Sequence, residues 1–266
     1  LIEEQAMASR PRRRGIRRGA YLLPSLFTMG NMVSGFYAII LGLDHHFDRA
    51  LLFIVLAAAL DSVDGRIARM TGTESEFGKE YDSLADVITF GAAPGMLAFL
   101  WGLRDFNPDA WLLSAFFMVC TATRLARFNV QTRVVDSRWF VGLPSPWAAL
   151  TICALLSFAL EATGDTRVIM QAVMGVALLV VGSLMVSTFR YNSFKNLDLR
   201  KRWSYRAFVP IAALLLLFLF IPRVAILVLA LLYTLSGPAT SAISRLRSRR
   251  GPRPESSPPP LEGAPP

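Results

Sequence analysis

Asp61-Ser62-Val63-Asp64-Gly65-Arg66-Ile67-Ala68-Arg69, followed eight residues later by Gly78-Lys79-Glu80-Tyr81-Asp82-Ser83-Leu84-Ala85-Asp86, sets four carboxylates between long apolar runs. An aspartate at the centre of a membrane helix costs about 2.5–3.5 kcal/mol on insertion scales, and like-charged neighbours add repulsion. Multivalent cations balance such a cluster better than any other partner. Positions 61, 64, 65 and 68 follow i, i+3, i+4, i+7, so Asp61, Asp64, Gly65 and Ala68 share one helix face. Positions 78, 82 and 86 follow i, i+4, i+8 and share a face on the next helix. A short loop at 71–77 lets the two helices run antiparallel and bring those faces together.

The surrounding chain is membrane-like. It has 266 residues, 53% of them hydrophobic, with a mean hydropathy of +0.44, too apolar for an ordinary soluble domain of this length. Eight segments approach the length needed to cross a ~30 Å hydrocarbon core: 22–43, 50–68, 78–103, 111–128, 147–160, 168–189, 207–221 and 224–241. The last two are parted only by Pro222 and Arg223, so they form a tight hairpin or one interrupted segment. The expected fold is an all-α polytopic membrane protein with about eight transmembrane helices.

Charge gives the expected orientation. Arg10, Arg12, Arg13, Arg14, Arg17 and Arg18 precede the first span, and cytoplasmic flanks are the ones enriched in Lys and Arg. The even-numbered loops are basic as well, through Arg133 and Arg138 and then Arg190, Lys195, Arg200, Lys201, Arg202 and Arg206. The opposite loops, 44–48, 104–109, 161–167 and Arg223, are weakly basic or not basic. Both termini and the loop between the aspartate helices are therefore expected in the cytoplasm of a cell-membrane protein. The net charge of +9 follows this topology and anionic lipid headgroups account for it, which argues against a nucleic-acid partner. The first apolar stretch is too long for a cleavable signal peptide and lacks a small-residue cleavage pattern. Cys120 and Cys153 fall inside expected spans and read as ordinary buried residues. The expected organisation is a basic segment at 1–20, a membrane domain at 21–190, a basic loop with a C-terminal helix pair at 191–241, and a disordered basic, Pro-rich tail at 242–266.

The only histidines, His45 and His46, adjoin each other in an expected extracytoplasmic loop. General-base duty within the membrane therefore falls to a carboxylate. An all-oxygen pocket with incomplete protein coordination suits Mg²⁺ or Mn²⁺, with phosphate oxygens and water completing the shell. Gly65, Ala68 and Gly78 are small on the same faces and leave room for a ligand at the backbone, while Arg69 can meet an anionic group or snorkel. The competing reading of membrane carboxylates is a proton or cation relay in a transporter, with the small residues serving helix packing. That reading predicts polar groups spread across the membrane depth, whereas these aspartates are confined to one helix pair.

The same residues match the signature of the CDP-alcohol phosphotransferase family: Asp-x2-Asp-Gly-x2-Ala-Arg, eight residues, then Gly-x3-Asp-x3-Asp. Every signature position is filled between Asp61 and Asp86. Leu23-Pro24-Ser25-Leu26-Phe27-Thr28-Met29-Gly30-Asn31 with Gly35 resembles the family's first span. Three further runs are similar to its phosphatidylserine synthase branch: 86–94, Arg124-Leu125-Ala126-Arg127-Phe128-Asn129, and 140–146. The resemblance covers roughly 18–189 and implies a six-helix core extended by a C-terminal hairpin.

It also implies transfer of phosphatidyl from CDP-diacylglycerol to the hydroxyl of L-serine with release of CMP. Two divalent cations, Mg²⁺ or Mn²⁺, would be held by Asp61, Asp64, Asp82 and Asp86, with Asp86 also the general base. Gly65, Ala68, Arg69, Gly78 and Asn31 would handle the nucleotide, Asn31 having an interhelical hydrogen bond as its alternative role. Arg124 and Arg127, three residues apart near the cytoplasmic end of a span, would meet serine's carboxylate or a lipid phosphate, or else snorkel. Asn129 is a third acceptor candidate, and Thr89 and Ser83 are weaker ones. Membrane lipids are the surroundings, and a homodimer is the assembly common in the family. The core signature leaves open another alcohol acceptor: glycerol phosphate, inositol phosphate or choline.

Overall fold

The structure, a computed structural model, describes residues 15–71, 75–131, 139–192 and 222–249. The expected span at 207–221, nearly all of the N-terminal basic segment, the basic loop beyond Asn192 and the tail from 250 lie outside the described residues. Helices α1 (Gly15–Leu43) and α2 (Phe47–Thr71) form a hairpin closed by Asp44, His45 and His46. Both histidines are exposed. Then come α3 (Glu76–Asp86), α4 (Ala93–Ala98) and α5 (Arg104–Phe106), joined through π-helical turns at Val87–Ala92 and Phe99–Leu103 into one continuous helical stretch. After a short 3₁₀ turn follow α6 (Trp111–Gln131), α7 (Ser145–Ala159), α8 (Asp165–Val186) and α9 (Pro222–Arg249).

Five helical stretches are long and apolar enough to cross a membrane: Leu26–Leu43, Glu76–Phe106, Pro108–Val130, Asp165–Val186 and Arg223–Ser241. These correspond to the first, third, fourth, sixth and eighth expected spans. The second, α2, has the length, but the aspartates and arginines of its C-terminal half break its apolar run. The fifth, α7, has 15 residues, about 22 Å at 1.5 Å per residue, short of a ~30 Å core. Leu97, Phe117, Ile152, Leu156, Met174, Leu178 and Met185 are fully buried between the helices. Leu52, Val55, Val176 and Leu232 point outward, as a surface facing hydrocarbon requires.

Helix α1 meets the α3–α4 stretch along Asn31, Gly35, Ala38 and Gly42, a face of small or short side chains at helical spacing. A Cβ on Gly35 would come within 2.5 Å of Thr89 Oγ1 and 2.7 Å of Thr89 Cα. Only glycine permits that approach. It lets Thr89 Oγ1 donate to the Asn31 carbonyl at 3.2 Å. The π turn lies at the same level: Ala93 N–H reaches Ile88 C=O, five residues back. Pro94 follows it in the first turn of α4, where its missing N–H is tolerated without ending the stretch.

The expected all-α fold has one exception. Strands β1 (Trp139–Val141) and β2 (Arg190–Asn192) pair antiparallel, with Phe140 opposite Tyr191. The expected span at 168–189 accordingly runs too far: α8 stops at Val186, and the chain turns extended to enter the ladder. Gly142, at φ +85°, turns the chain from β1 into α7 while its N–H donates to Phe189 C=O at 2.8 Å. Ser145 opens α7 with Pro146 in the first turn, where a missing N–H leaves no helical bond unmade.

The last helix carries Pro238 internally. A proline cannot donate to the carbonyl four residues back, which here belongs to Thr234. Tyr191 replaces the lost bond, its hydroxyl donating to Thr234 O at 3.0 Å, with its ring against Gly237. Burial pushes the Tyr191 phenol up to about 12, so it stays a proton donor at any physiological pH. Tyr191→Phe is expected to lower stability by about 1–3 kcal/mol, since a buried carbonyl loses its donor. Thermal melting in detergent measures that loss, and an unchanged melting temperature would refute this account of the proline.

Three ion pairs among the described residues lie at the end remote from Asp61, Asp82 and Asp86. Arg223 pairs with Glu161 and, at 3.4 Å, with Asp48. Arg167 reaches Asp105 at 3.4 Å and the Trp101 carbonyl at 3.2 Å. Asp48 and Asp61 share α2 and stand 13 residues apart, about 20 Å along the helix. These pairs are exposed, so each adds little stability.

Candidate active site

Asp61 comes from α2, and Asp82 and Asp86 from α3. Each offers one carboxylate oxygen, and the three oxygens lie within 4.8 Å of one another. The spacing along the two helices thus converges as the sequence indicates. Asp64 lies on α2, but its side chain is outside the described residues, as are those of Ala68 and Arg69. Gly65 and Gly78 are half-buried. The Gly78 N–H is held at 2.9 Å by Ser75 Oγ, the N-cap of α3.

Asp86 is the most enclosed of the three, only 7% exposed. Asn31 Nδ2 donates to its Oδ1 at 3.2 Å, which is the interhelical bond expected as the alternative role of Asn31. The Asn31 Oδ1 is buried with no hydrogen-bond partner among the described residues. Charges of both signs bear on Asp86: Asp61 and Asp82 repel it, and Arg124 attracts it. Neighbouring carboxylates at this separation resist joint ionisation unless a cation stands between them. Hard oxygen donors and a spare amide oxygen fit a small divalent cation, Mg²⁺ or Mn²⁺, in preference to softer metals.

The two candidate arginines have different surroundings. Arg127 Nη1 donates to Val186 O at 3.0 Å, and its Nη2 donates to Val141 O at 2.9 Å and Ser187 O at 3.0 Å. Its fork staples the end of α8 and the start of the ladder to α6. Arg124 is buried. One of its nitrogens donates to Ser145 Oγ at 2.9 Å, its guanidinium lies 6.0 Å from the Phe128 ring centroid, and its Nε has no hydrogen-bond partner among the described residues. Asn129 Nδ2 bridges α6 to α3 through Ser83 Oγ at 2.9 Å and Glu80 Oε2 at 3.2 Å. Thr89 is fully buried in the α1 contact.

Ser145, the hydrogen-bond partner of Arg124, is a candidate that sequence reasoning misses. It sits in the 140–146 run, which resembles the family branch, but nothing in that run marks Ser145 as the partner of Arg124. The two cysteines are buried and free, as expected.

Comparison with known proteins identifies the family. A family-wide profile described as CDP-alcohol phosphatidyltransferase matches residues 21–181. A CDP-diacylglycerol–serine O-phosphatidyltransferase of Helicobacter pylori is 36% identical over 220 residues, 82% of this chain and 90% of the relative. The protein of that name from Bacillus subtilis is 32% identical over 182 residues, 68% of this chain and 98% of the relative. An archaetidylserine synthase of Methanothermobacter thermautotrophicus is 39% identical over 171 residues, 64% of this chain and 69% of the relative. With a profile covering more than half its length and its carboxylates converging where the signature requires, the chain belongs to the CDP-alcohol phosphatidyltransferase family.

Proposed function

We propose that the protein transfers the phosphatidyl group of CDP-diacylglycerol to the hydroxyl of L-serine and releases CMP. The observation that carries this reading is the meeting of Asp61, Asp82 and Asp86 oxygens within 4.8 Å from two helices. Family membership supports the chemistry, and the names of the relatives support serine as acceptor.

Asp61, Asp64, Asp82 and Asp86 would hold two divalent cations, Mg²⁺ or Mn²⁺, which when bound would neutralise charge on the pyrophosphate. Asp86 accepts the serine hydroxyl proton as that oxygen forms its bond to the phosphatidyl phosphorus and the bond from phosphorus to CMP breaks. Asn31 steadies the Asp86 carboxylate at the edge of the nucleotide site. Gly65 and Ala68 leave room at the backbone for CDP, Gly78 keeps the start of α3 clear of a side chain, and Arg69 meets the phosphates.

Arg124 takes serine's carboxylate in this reading, because burial and an unused Nε leave its guanidinium a donor to spare. Arg127 serves as a backbone staple and Asn129 positions α3 against α6. The site faces the cytoplasm of the cell membrane, where serine and CMP are soluble, with both termini on the same side, donor chains in the bilayer and the protein a homodimer.

Offered L-serine, glycerol phosphate, inositol phosphate and choline separately with CDP-diacylglycerol, the purified protein is expected to make a phosphatidyl product with serine. Product from another alcohol alone would keep the chemistry and overturn the acceptor. Arg124→Lys is expected to raise the KM for serine roughly tenfold or more, since an ammonium cannot grip a carboxylate with a planar fork. Unchanged serine dependence would remove Arg124 from that role.

A further inference from the structure

The profile match ends at residue 181, yet α9 reaches the surroundings of Arg124. Tyr233 on α9 stacks on Trp147 with ring centroids 4.5 Å apart. Trp147 lies in the first turn of α7, two residues after Ser145, the residue that accepts from Arg124. One turn deeper, Thr151 Oγ1 and Thr234 Oγ1 share a hydrogen bond at 2.9 Å. Tyr191 closes the cluster from the ladder, 5.8 Å from Tyr233 and bonded to Thr234 O. Tyr233 and Arg124 are also within electrostatic reach of each other.

We propose that α9 belongs to the acceptor-binding machinery: the Tyr233–Trp147 stack fixes the start of α7, Ser145 there fixes the Arg124 guanidinium, and serine affinity depends on all three. Ser145, Trp147 and Tyr233 are positioning residues that act through Arg124. The proposal rests on the reading that Arg124 holds the serine carboxylate.

The physical case is entropic. A free arginine has many rotamers, and holding one of them before serine arrives removes the ordering cost from the binding step. Ser145 is fully buried, so its hydroxyl has a single environment, and the neighbouring stack keeps the first turn of α7 from shifting. The two hydroxyls at 151 and 234 set the register between α7 and α9, which places the Tyr233 ring over Trp147.

The test uses the full chain in detergent and reads KM for serine, KM for CDP-diacylglycerol and kcat. Ser145→Ala is expected to raise the serine KM roughly tenfold, with the KM for CDP-diacylglycerol unchanged. Ser145→Thr, which restores a hydroxyl, is expected to bring the serine KM back toward that of the parent. Tyr233→Leu removes the stack on Trp147 and is expected to raise the serine KM alone, while Tyr233→Phe, which retains the ring, leaves it near the parent value. Parallel rises in both KM values, or a fall in kcat alone, would mark these contacts as structural and overturn the proposal. Unchanged serine KM in Ser145→Ala and Tyr233→Leu, beside a raised one in Arg124→Lys, would sink the proposal and leave the carboxylate reading standing. An unchanged serine KM in Arg124→Lys would sink that reading itself, and the proposal with it.

Discussion

Asp86→Asn is expected to lower serine-dependent CMP release by roughly 10²–10⁴-fold, the range that general-base catalysis contributes, in a protein that still folds. The substitution is nearly isosteric, and the Asn31 amide can still donate to an oxygen at the same place. What disappears is the proton acceptor and one negative charge. Asp61 and Asp82 repel that charge while Arg124 attracts it, so in chelator-treated protein the variant should melt close to the parent. Turnover at saturating substrate and a melting curve, taken on one preparation, check both halves. Near-parental turnover would remove Asp86 as the base. A melting temperature well below that of the parent would mean that the carboxylate is chiefly a structural group.

Gly35→Ala should damage stability and activity together. The added methyl would meet Thr89 Oγ1 at 2.5 Å, Cα at 2.7 Å and Cβ at 2.9 Å. Two of these atoms are fixed by backbone or by branching, so the helices themselves must part. An overpacked contact of this kind costs about 1–3 kcal/mol. The separation would also stretch the Thr89 bond to the Asn31 carbonyl and the Asn31 bond to Asp86, each 3.2 Å long. Lower melting temperature with lower turnover is the expected pair of results, in contrast to Asp86→Asn, where turnover falls alone. Parental melting and turnover would contradict so close an approach of α1 to the π turn at Val87–Ala92.

Much of this architecture is legible in the chain. The apolar runs announce membrane helices, and spacings of three and four put the aspartates on two facing stripes. Those signals are local: each helix carries its own period, and the link between α2 and α3 is short enough to force them together. Long-range features leave weaker marks. Nothing near Arg124 or Arg127 in sequence separates the two, because what distinguishes them arrives from residues 141, 145, 186 and 187.

The ladder is hidden for a similar reason. Its strands are three residues each, too short for an alternating pattern, and Arg190–Asn192 adjoins an apolar run that reads as more helix. The π turns, at Val87–Ala92 beside the Gly35–Thr89 contact and at Phe99–Leu103, are departures that periodicity does not register. The role of Tyr191 requires knowing that Pro238 leaves the Thr234 carbonyl open. The second and fifth spans show the limit of hydropathy: α2 sacrifices apolar length to hold the aspartates, and α7 is short because its entry is set by Gly142 and Pro146.

The most direct measurement is CMP release from CDP-diacylglycerol by the purified protein in Mg²⁺ or Mn²⁺, with and without L-serine, before and after chelation. The account predicts release that requires serine, stops on chelation and returns when the cation is restored. Release that ignores the chelator would contradict a cation site at Asp61, Asp82 and Asp86, and no release with any alcohol from well-folded protein would contradict phosphatidyl transfer itself.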